Sequence, residues 1–133
     1  MSAHFRITTD IPSEKQEWGT FHWLSNPPTT AAKQLTVFEA TLKPRKGHSF
    51  HKHLNQEEVL YVVSGRLEQW IDREKKILGA GDSVFIPAEI VHGSFNADKG
   101  DTKLVVIFSP CVGEAGFEAI DMSTEEPWKS LRK

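Results

Sequence analysis

The sequence predicts an all-β domain, a sandwich or a barrel, on three observations. A helical period is almost absent. Short runs rich in Val, Ile, Phe, Leu and Thr recur along the chain. Each run is punctuated by Gly, Pro, Asn or Asp. The 133 residues carry 38% hydrophobic and 26% charged side chains, a composition ordinary for one soluble domain spanning 1–133. Sixteen basic residues against eighteen acidic ones leave a net charge of −2, so no cationic footprint for nucleic acid is expected. No apolar run approaches the roughly eighteen residues of a membrane span. The start Met1-Ser2-Ala3-His4-Phe5-Arg6 has no apolar signal core, so the chain is expected in the cytoplasm, without a membrane partner. Cys111 is the single cysteine and cannot staple the fold within one chain, so cohesion falls to a packed core, helped or not by a metal.

Taken in order, strands are expected over 5–9, 21–24, 34–42, 49–53, 58–63, 66–71, 75–78, 83–87, 91–95 and 102–109. Residues 10–17 read as a polar connector. The segment 25–31 reads as a loop, because Pro27 and Pro28 oppose regular pairing. Ser64-Gly65 is expected to close a tight hairpin, since glycine accepts a positive φ cheaply. The stretches 71–75 and 79–82 are expected turns. Beyond Pro110 the character changes, and Ser123 followed three residues later by Glu126 suggests the N-cap of a short C-terminal helical turn docked by Trp128 and Leu131. The runs 59–63 and 104–108 are apolar at both parities, although a strand faces two ways. One face can line a core. The other needs the N-terminal strands or a second subunit over it, which predicts a homodimer.

Six histidines occur, at positions 4, 22, 48, 51, 53 and 92. His51-Lys52-His53 carries the most information. Residues two apart on a strand point to one face, so two imidazoles converge while Lys52 points away. Glu58 follows five residues after His53, and a hairpin-like return would bring its carboxylate beside the pair to neutralise a divalent cation. An isolated pair of this kind is more often two unrelated histidines; the surrounding spacing changes the odds. His51-x-His53-x4-Glu58-x6-Gly65 is followed by Gly81-x5-Pro87-x4-His92-x3-Asn96.

These eight positions resemble the two motifs of the cupin superfamily, and the resemblance spans about residues 35–110. It implies an antiparallel jelly-roll β-barrel. It also implies that His51, His53, Glu58 and His92 bind one divalent transition metal inside that barrel; spacing alone would not have found His92. Two positions depart from the family pattern. Arg45 stands where the first motif has a glycine, and Glu89 stands where the second has one, so the turn at Glu89 is expected to be of another type, without a positive φ.

Three imidazoles and a carboxylate without a thiolate suit Fe(II), Mn(II), Ni(II), Co(II) or Zn(II). Metal affinity is expected to fall below about pH 6.5, where an ordinary histidine takes up a proton. Parity predicts that Ser49 shares the inward face of the histidine pair, that Leu60, Val62 and Ser64 share that of Glu58, and that Ser94 and Asn96 share that of His92. A mostly apolar pocket then favours a small, partly apolar or aromatic oxygen-bearing metabolite. His48 and Glu57 are expected to be exposed, while Tyr61, Trp70, His22 and Trp23 are expected to pack. Three readings stay open: a metal-dependent dioxygenase or isomerase/decarboxylase, a non-catalytic metabolite- or metal-binding module, and a dimerisation platform with a vestigial site.

Overall fold

The structure, a computed structural model, describes residues 4–132. Its strands form two antiparallel sheets in a jelly roll. The six-stranded sheet runs β1-β2-β3-β10-β5-β8, built from Glu14–Gln16, Gly19–Ser25, Thr36–Leu42, Thr102–Ser109, Glu57–Ser64 and Ser83–Ile86. The five-stranded sheet runs β11-β4-β9-β6-β7, built from Ile120–Asp121, Gly47–Lys52, His92–Asn96, Arg66–Ile71 and Glu74–Gly79.

The period of two is clearest where the sheet is most central. On β3 the buried residues are Thr36, Phe38, Ala40 and Leu42, and on β10 they are Thr102, Leu104, Val106 and Phe108. The register sets Phe38 opposite Val106 and Ala40 opposite Leu104, so one face of both strands enters the same core. Leu60, Val62, Leu67 and Ile86 complete it. Each such side chain removed from water contributes roughly 1.5–3 kcal/mol. A second cluster, Phe50, Trp70, Val91 and Phe95, lies on the opposite parity of the five-stranded sheet from His51 and Ser94. Met122, Trp128 and Leu131 of the C-terminal segment cover it, and the Arg132 guanidinium lies 3.7 Å from the centre of the Phe95 ring.

Several elements differ from the sequence reading. No strand forms over 5–9: Thr8–Asp10 is a single 3-10 turn, and Phe5 and Ile7 are 87% and 55% exposed. Two alternating apolar residues found no strand to pair with, and β1, within the expected connector, takes the sheet edge instead. The 25–31 segment contains a helical turn, α1 (Pro27–Thr30). Proline is tolerated there because the first-turn N–H groups have no helical partner, and Asn26 and Thr29 cap each other reciprocally. The C-terminal turn is α2 (Trp128–Leu131); Ser123 does not cap it but donates its hydroxyl to Asp121 Oδ1 at 2.7 Å.

Ser64-Gly65 is not a hairpin. β5 and β6 belong to different sheets, and Gly65, at φ 89°, turns the chain from one to the other. A side chain there would strike Thr102. Ser64, beside that corner, is exposed rather than sharing the inward face of Glu58. Asn96 points inward but holds the same corner: its Nδ2 donates to the carbonyls of Leu42 and Gly100, and its Oδ1 accepts from Thr102 Oγ1 and the Asp98 N–H. The turn at Glu89 does use a positive φ, 71°, and Arg45 likewise sits at 65°. Both positions where the chain lacks the motif glycine therefore keep the left-handed conformation a glycine would adopt. Tyr61 does not pack: with Val63 and Phe85 it is 40–54% exposed on the outer face of the six-stranded sheet.

Candidate metal centre

Two of the three motif histidines lie on adjacent strands, and the third follows one of them. On β4 and β9, His51 and His92 are direct cross-strand partners, and their ring centres are 4.3 Å apart. His53, just past the end of β4, brings its ring to 4.9 Å from His51 and 5.1 Å from His92. One nitrogen from each of the three lies within 4.8 Å of the others, and this cluster could hold a metal ion.

The tautomers follow from the partners. His51 Nδ1 lies 2.6 Å from the Ser49 carbonyl, His53 Nδ1 2.7 Å from that of Glu118, and His92 Nδ1 2.9 Å from that of Ile90. A carbonyl oxygen only accepts, so each Nδ1 carries the hydrogen and each neutral ring presents the lone pair on Nε2. Such outer hydrogen bonds fix ring orientation and raise ligand basicity.

Glu58 stands at the start of β5, in the other sheet, and reaches the histidines across the barrel rather than through a hairpin return. Its Oε1 lies 3.3 Å from His53 Nε2 and 3.0 Å from His92 Nε2. All three atoms are buried, and none makes a hydrogen bond of acceptable geometry. Buried polar atoms that converge without satisfying one another are costly, and a cation between them removes the cost. The donor set therefore fits a divalent ion.

Electrostatics keep the site ready for one. Burial, with the neighbouring His92 adding to it, lowers His51 to about 3, although the bond to Ser49 opposes the shift. Proton competition at this ring thus begins far below the 6.5 of an ordinary histidine. Burial would raise the Glu58 carboxyl, but hydrogen bonds and charge from His53 and His92, which act where Nε2 carries a proton, outweigh it and hold the group at about 2. At neutral pH Glu58 is a carboxylate.

The cavity in front of these residues has a volume of about 330 Å³. Ser49 and Ser94 line it, as parity predicts, and so does Leu60. Its aromatic wall is Trp18, Phe21, Phe38, Phe108 and Phe117, and Asp121 sits at its edge. Phe108 and Phe117 stack with ring centres 4.9 Å apart and planes 4° from parallel. Phe117 belongs to a segment without regular structure after β10, which three polar side chains of the barrel tie down. Asn26 Nδ2 donates to the Ala115 carbonyl, Thr36 Oγ1 to that of Gly116, and Gln56 Nε2 to those of Pro110 and Gly116.

His48 departs from expectation: it lines the cavity. Between His48↔Ser94 and His51↔His92 the register shifts, three residues on β4 against two on β9. This extra residue puts His48 and His51 on the same side despite their odd spacing. The His48 ring packs edge-on against Trp18, centre to centre 4.4 Å. Burial lowers it to about 4, with Glu58 opposing and His92 and His53 reinforcing the shift. No spacing signal announces a bulge, and nothing in the sequence places Trp18 or Phe117 at the cavity. His22 stays outside the site, with Nε2 2.9 Å from the Ile11 carbonyl and Nδ1 3.6 Å from Glu39.

Fold and site together define a β-barrel with a histidine triad, and the comparisons agree. Residues 38–108 match the family described as "Cupin domain", and the chain belongs to that family. It is 30% identical over 118 residues to polyketide synthase CurC of Streptomyces cyaneus, covering 89% of this chain and 75% of that one. It is 31% identical over 70 residues to quercetin 2,3-dioxygenase of Bacillus subtilis, covering 53% of this chain and 20% of that one. Among solved structures, the polyketide cyclase RemF from Streptomyces resistomycificus superposes with a TM-score of 0.73 over 97% of this chain and 99% of that one, at 21% identity.

Proposed function

We propose that this chain is a metal-dependent enzyme acting on an oxygen-rich aromatic or polyketide-type metabolite, with the metal held by His51, His53, His92 and Glu58. The observation that carries the reading is the meeting of His53 Nε2, His92 Nε2 and Glu58 Oε1, buried and without hydrogen bonds, beside the open face of His51. A bound divalent ion (Fe, Mn, Ni, Co or Zn) would supply Lewis acidity at a substrate oxygen. The chain supplies the rest. Carbonyls of Ser49, Glu118 and Ile90 aim the rings, and the Glu58 carboxylate contributes negative charge. The Phe38, Phe108 and Phe117 wall takes up a flat ring and keeps water from its face.

A non-redox reaction of the cyclisation or isomerisation type is the first reading; the name of the structural neighbour RemF, a polyketide cyclase, suggests the cyclisation, and the likeness to polyketide synthase CurC over most of both chains supports the substrate class. A dioxygenase is the second reading, favoured by the shorter likeness to quercetin 2,3-dioxygenase. The test begins with elemental analysis of protein purified without a metal-affinity column, alongside His51→Ala and His92→Ala. About one equivalent of a divalent transition metal is expected in the parent and a marked loss in both variants; unchanged metal content in both variants would refute the site. Turnover of phenolic and poly-β-carbonyl substrates under nitrogen supports the first reaction type, and turnover that requires O2 supports the second.

We also infer that two copies pair through the outer face of the six-stranded sheet. Val59 faces both Ile107 and Phe85 in the register, and Tyr61 faces Val105. The outer face of the other sheet already has its own C-terminal cover, so this row is the one that a second copy would remove from water.

A further inference from the structure

Among the described residues, His48 is the one cavity histidine outside the proposed metal ligands. Its ring lines the same cavity as the triad, held there by the β4 bulge and by Trp18. It is not part of the His51–His53–His92 cluster, and its ring centre lies 6.5 Å from that of His51. The other cavity histidines each spend Nδ1 on a main-chain carbonyl. No hydrogen bond to either ring nitrogen of His48 is found among the described residues. With both nitrogens free of protein partners and the ring lining the cavity, His48 can hydrogen-bond a ligand bound there.

We propose that His48 fixes a second oxygen of the substrate: it hydrogen-bonds a hydroxyl or carbonyl on an aromatic ring whose first oxygen lies against the His51–His53–His92 triad. The assignment rests on the enzyme reading above and narrows its substrate class. The 6.5 Å between the His48 and His51 rings suits oxygens on non-adjacent carbons of one ring. An adjacent pair would fall to the triad together. A neutral imidazole offers one donor and one acceptor, so either a hydroxyl or a carbonyl can be held. Trp18 packs edge-on against the ring, its centre 4.4 Å away, and so favours this orientation toward the cavity.

The test compares the parent with His48→Phe, which keeps an aromatic ring against Trp18 but offers no hydrogen bond, and with His48→Gln, which restores one. Three probes are titrated against metal-free and Zn(II)-loaded protein by calorimetry: phenol, 1,2-dihydroxybenzene and 1,3,5-trihydroxybenzene. Zn(II) itself is titrated separately. The expected result is that His48→Phe weakens 1,3,5-trihydroxybenzene about tenfold or more. Phenol, 1,2-dihydroxybenzene and Zn(II) should keep their affinities, and His48→Gln should recover part of the loss. An equal effect on all three probes, no effect on 1,3,5-trihydroxybenzene, or no binding of it to the parent overturns the proposal. Loss of Zn(II) affinity in His48→Phe also overturns it, by making His48 a ligand. If the parent binds no Zn(II), the enzyme reading fails, while the metal-free titrations still decide whether His48 holds the second oxygen.

Discussion

His53 and Glu118 are joined by a 2.7 Å hydrogen bond in which the ring Nδ1–H donates to the main-chain carbonyl. That bond couples a candidate metal ligand to the irregular segment after β10. The same segment delivers Phe117 to the cavity wall. Its anchor is Gln56, fully buried, whose Nε2 donates to Pro110 at 2.7 Å and to Gly116 at 3.0 Å, while its Oε1 accepts from the Glu118 N–H at 3.4 Å. One amide thus holds both ends of the segment that aims a histidine.

Replacing Gln56 with Leu keeps the volume but strands the Pro110 carbonyl and the Glu118 N–H, while the Gly116 carbonyl keeps Thr36 Oγ1. A loss of about 2–3 kcal/mol in unfolding free energy is expected. Metal affinity should drop tenfold or more through the misaimed His53, as for other lost outer-shell partners. Urea denaturation and metal titration measure the two effects; a destabilised variant with parent-like affinity would separate Gln56 from the site.

Arg45 and Glu89 hold φ values of 65° and 71°, in the left-handed region. That conformation costs a non-glycine residue about 1–2 kcal/mol, while glycine gives back about 0.4–1 kcal/mol through its freer unfolded chain. Arg45→Gly and Glu89→Gly should each stabilise the protein by about 0.5–1 kcal/mol. A lower denaturation midpoint in both variants would show that neither turn is strained.

Acid should destabilise the metal-free protein. An unfolded histidine takes up its proton near 6.5, whereas His48 and His51 do so near 4 and 3 in the fold. Between those values the unfolded state binds more protons, so stability is complete above pH 6.5 and falls as the pH drops. Glu58, shifted from 4.5 to about 2, extends the loss below pH 4.5 with the same sign. The ceiling is about 1.4 kcal/mol per pH unit for each group, and the half-buried rings of His48 and His51 fall short of it because solvent reaches them. A melting temperature flat from pH 6.5 to 4 would contradict these shifts.

Phe85, 54% exposed on edge strand β8, lies opposite Val59 in the register. Phe85→Glu places a charge in the apolar row without touching the core, so the fold should melt within a few degrees of the parent. In sedimentation velocity the parent should run as a dimer and the variant as a monomer. A parent that is monomeric at micromolar concentration removes the proposed pairing.

The strands over Thr36–Leu42 and Thr102–Ser109 were legible in the sequence because strand propensity is a local property, but which parity of 104–108 entered the core was not, since both are apolar. The same locality made His51, Ser49 and His53 readable as one face. Residues 5–9 show the limit: Phe5 and Ile7 alternate correctly, but a strand also needs a partner, and β1 and β2 pair with each other. Whether Ser64-Gly65 closed a hairpin or crossed between sheets depended likewise on contacts far along the chain.

The residues alone determined an all-β domain, a sandwich or a barrel, and a pair of imidazoles facing one way with a carboxylate in reach; the motif pattern added the jelly-roll barrel and His92. Tertiary structure decided the rest. It set His92 opposite His51, brought Glu58 across from the other sheet, and aimed His53 through Glu118. It also turned His48 inward, because a bulge is a property of two strands in register and one strand's sequence cannot record it.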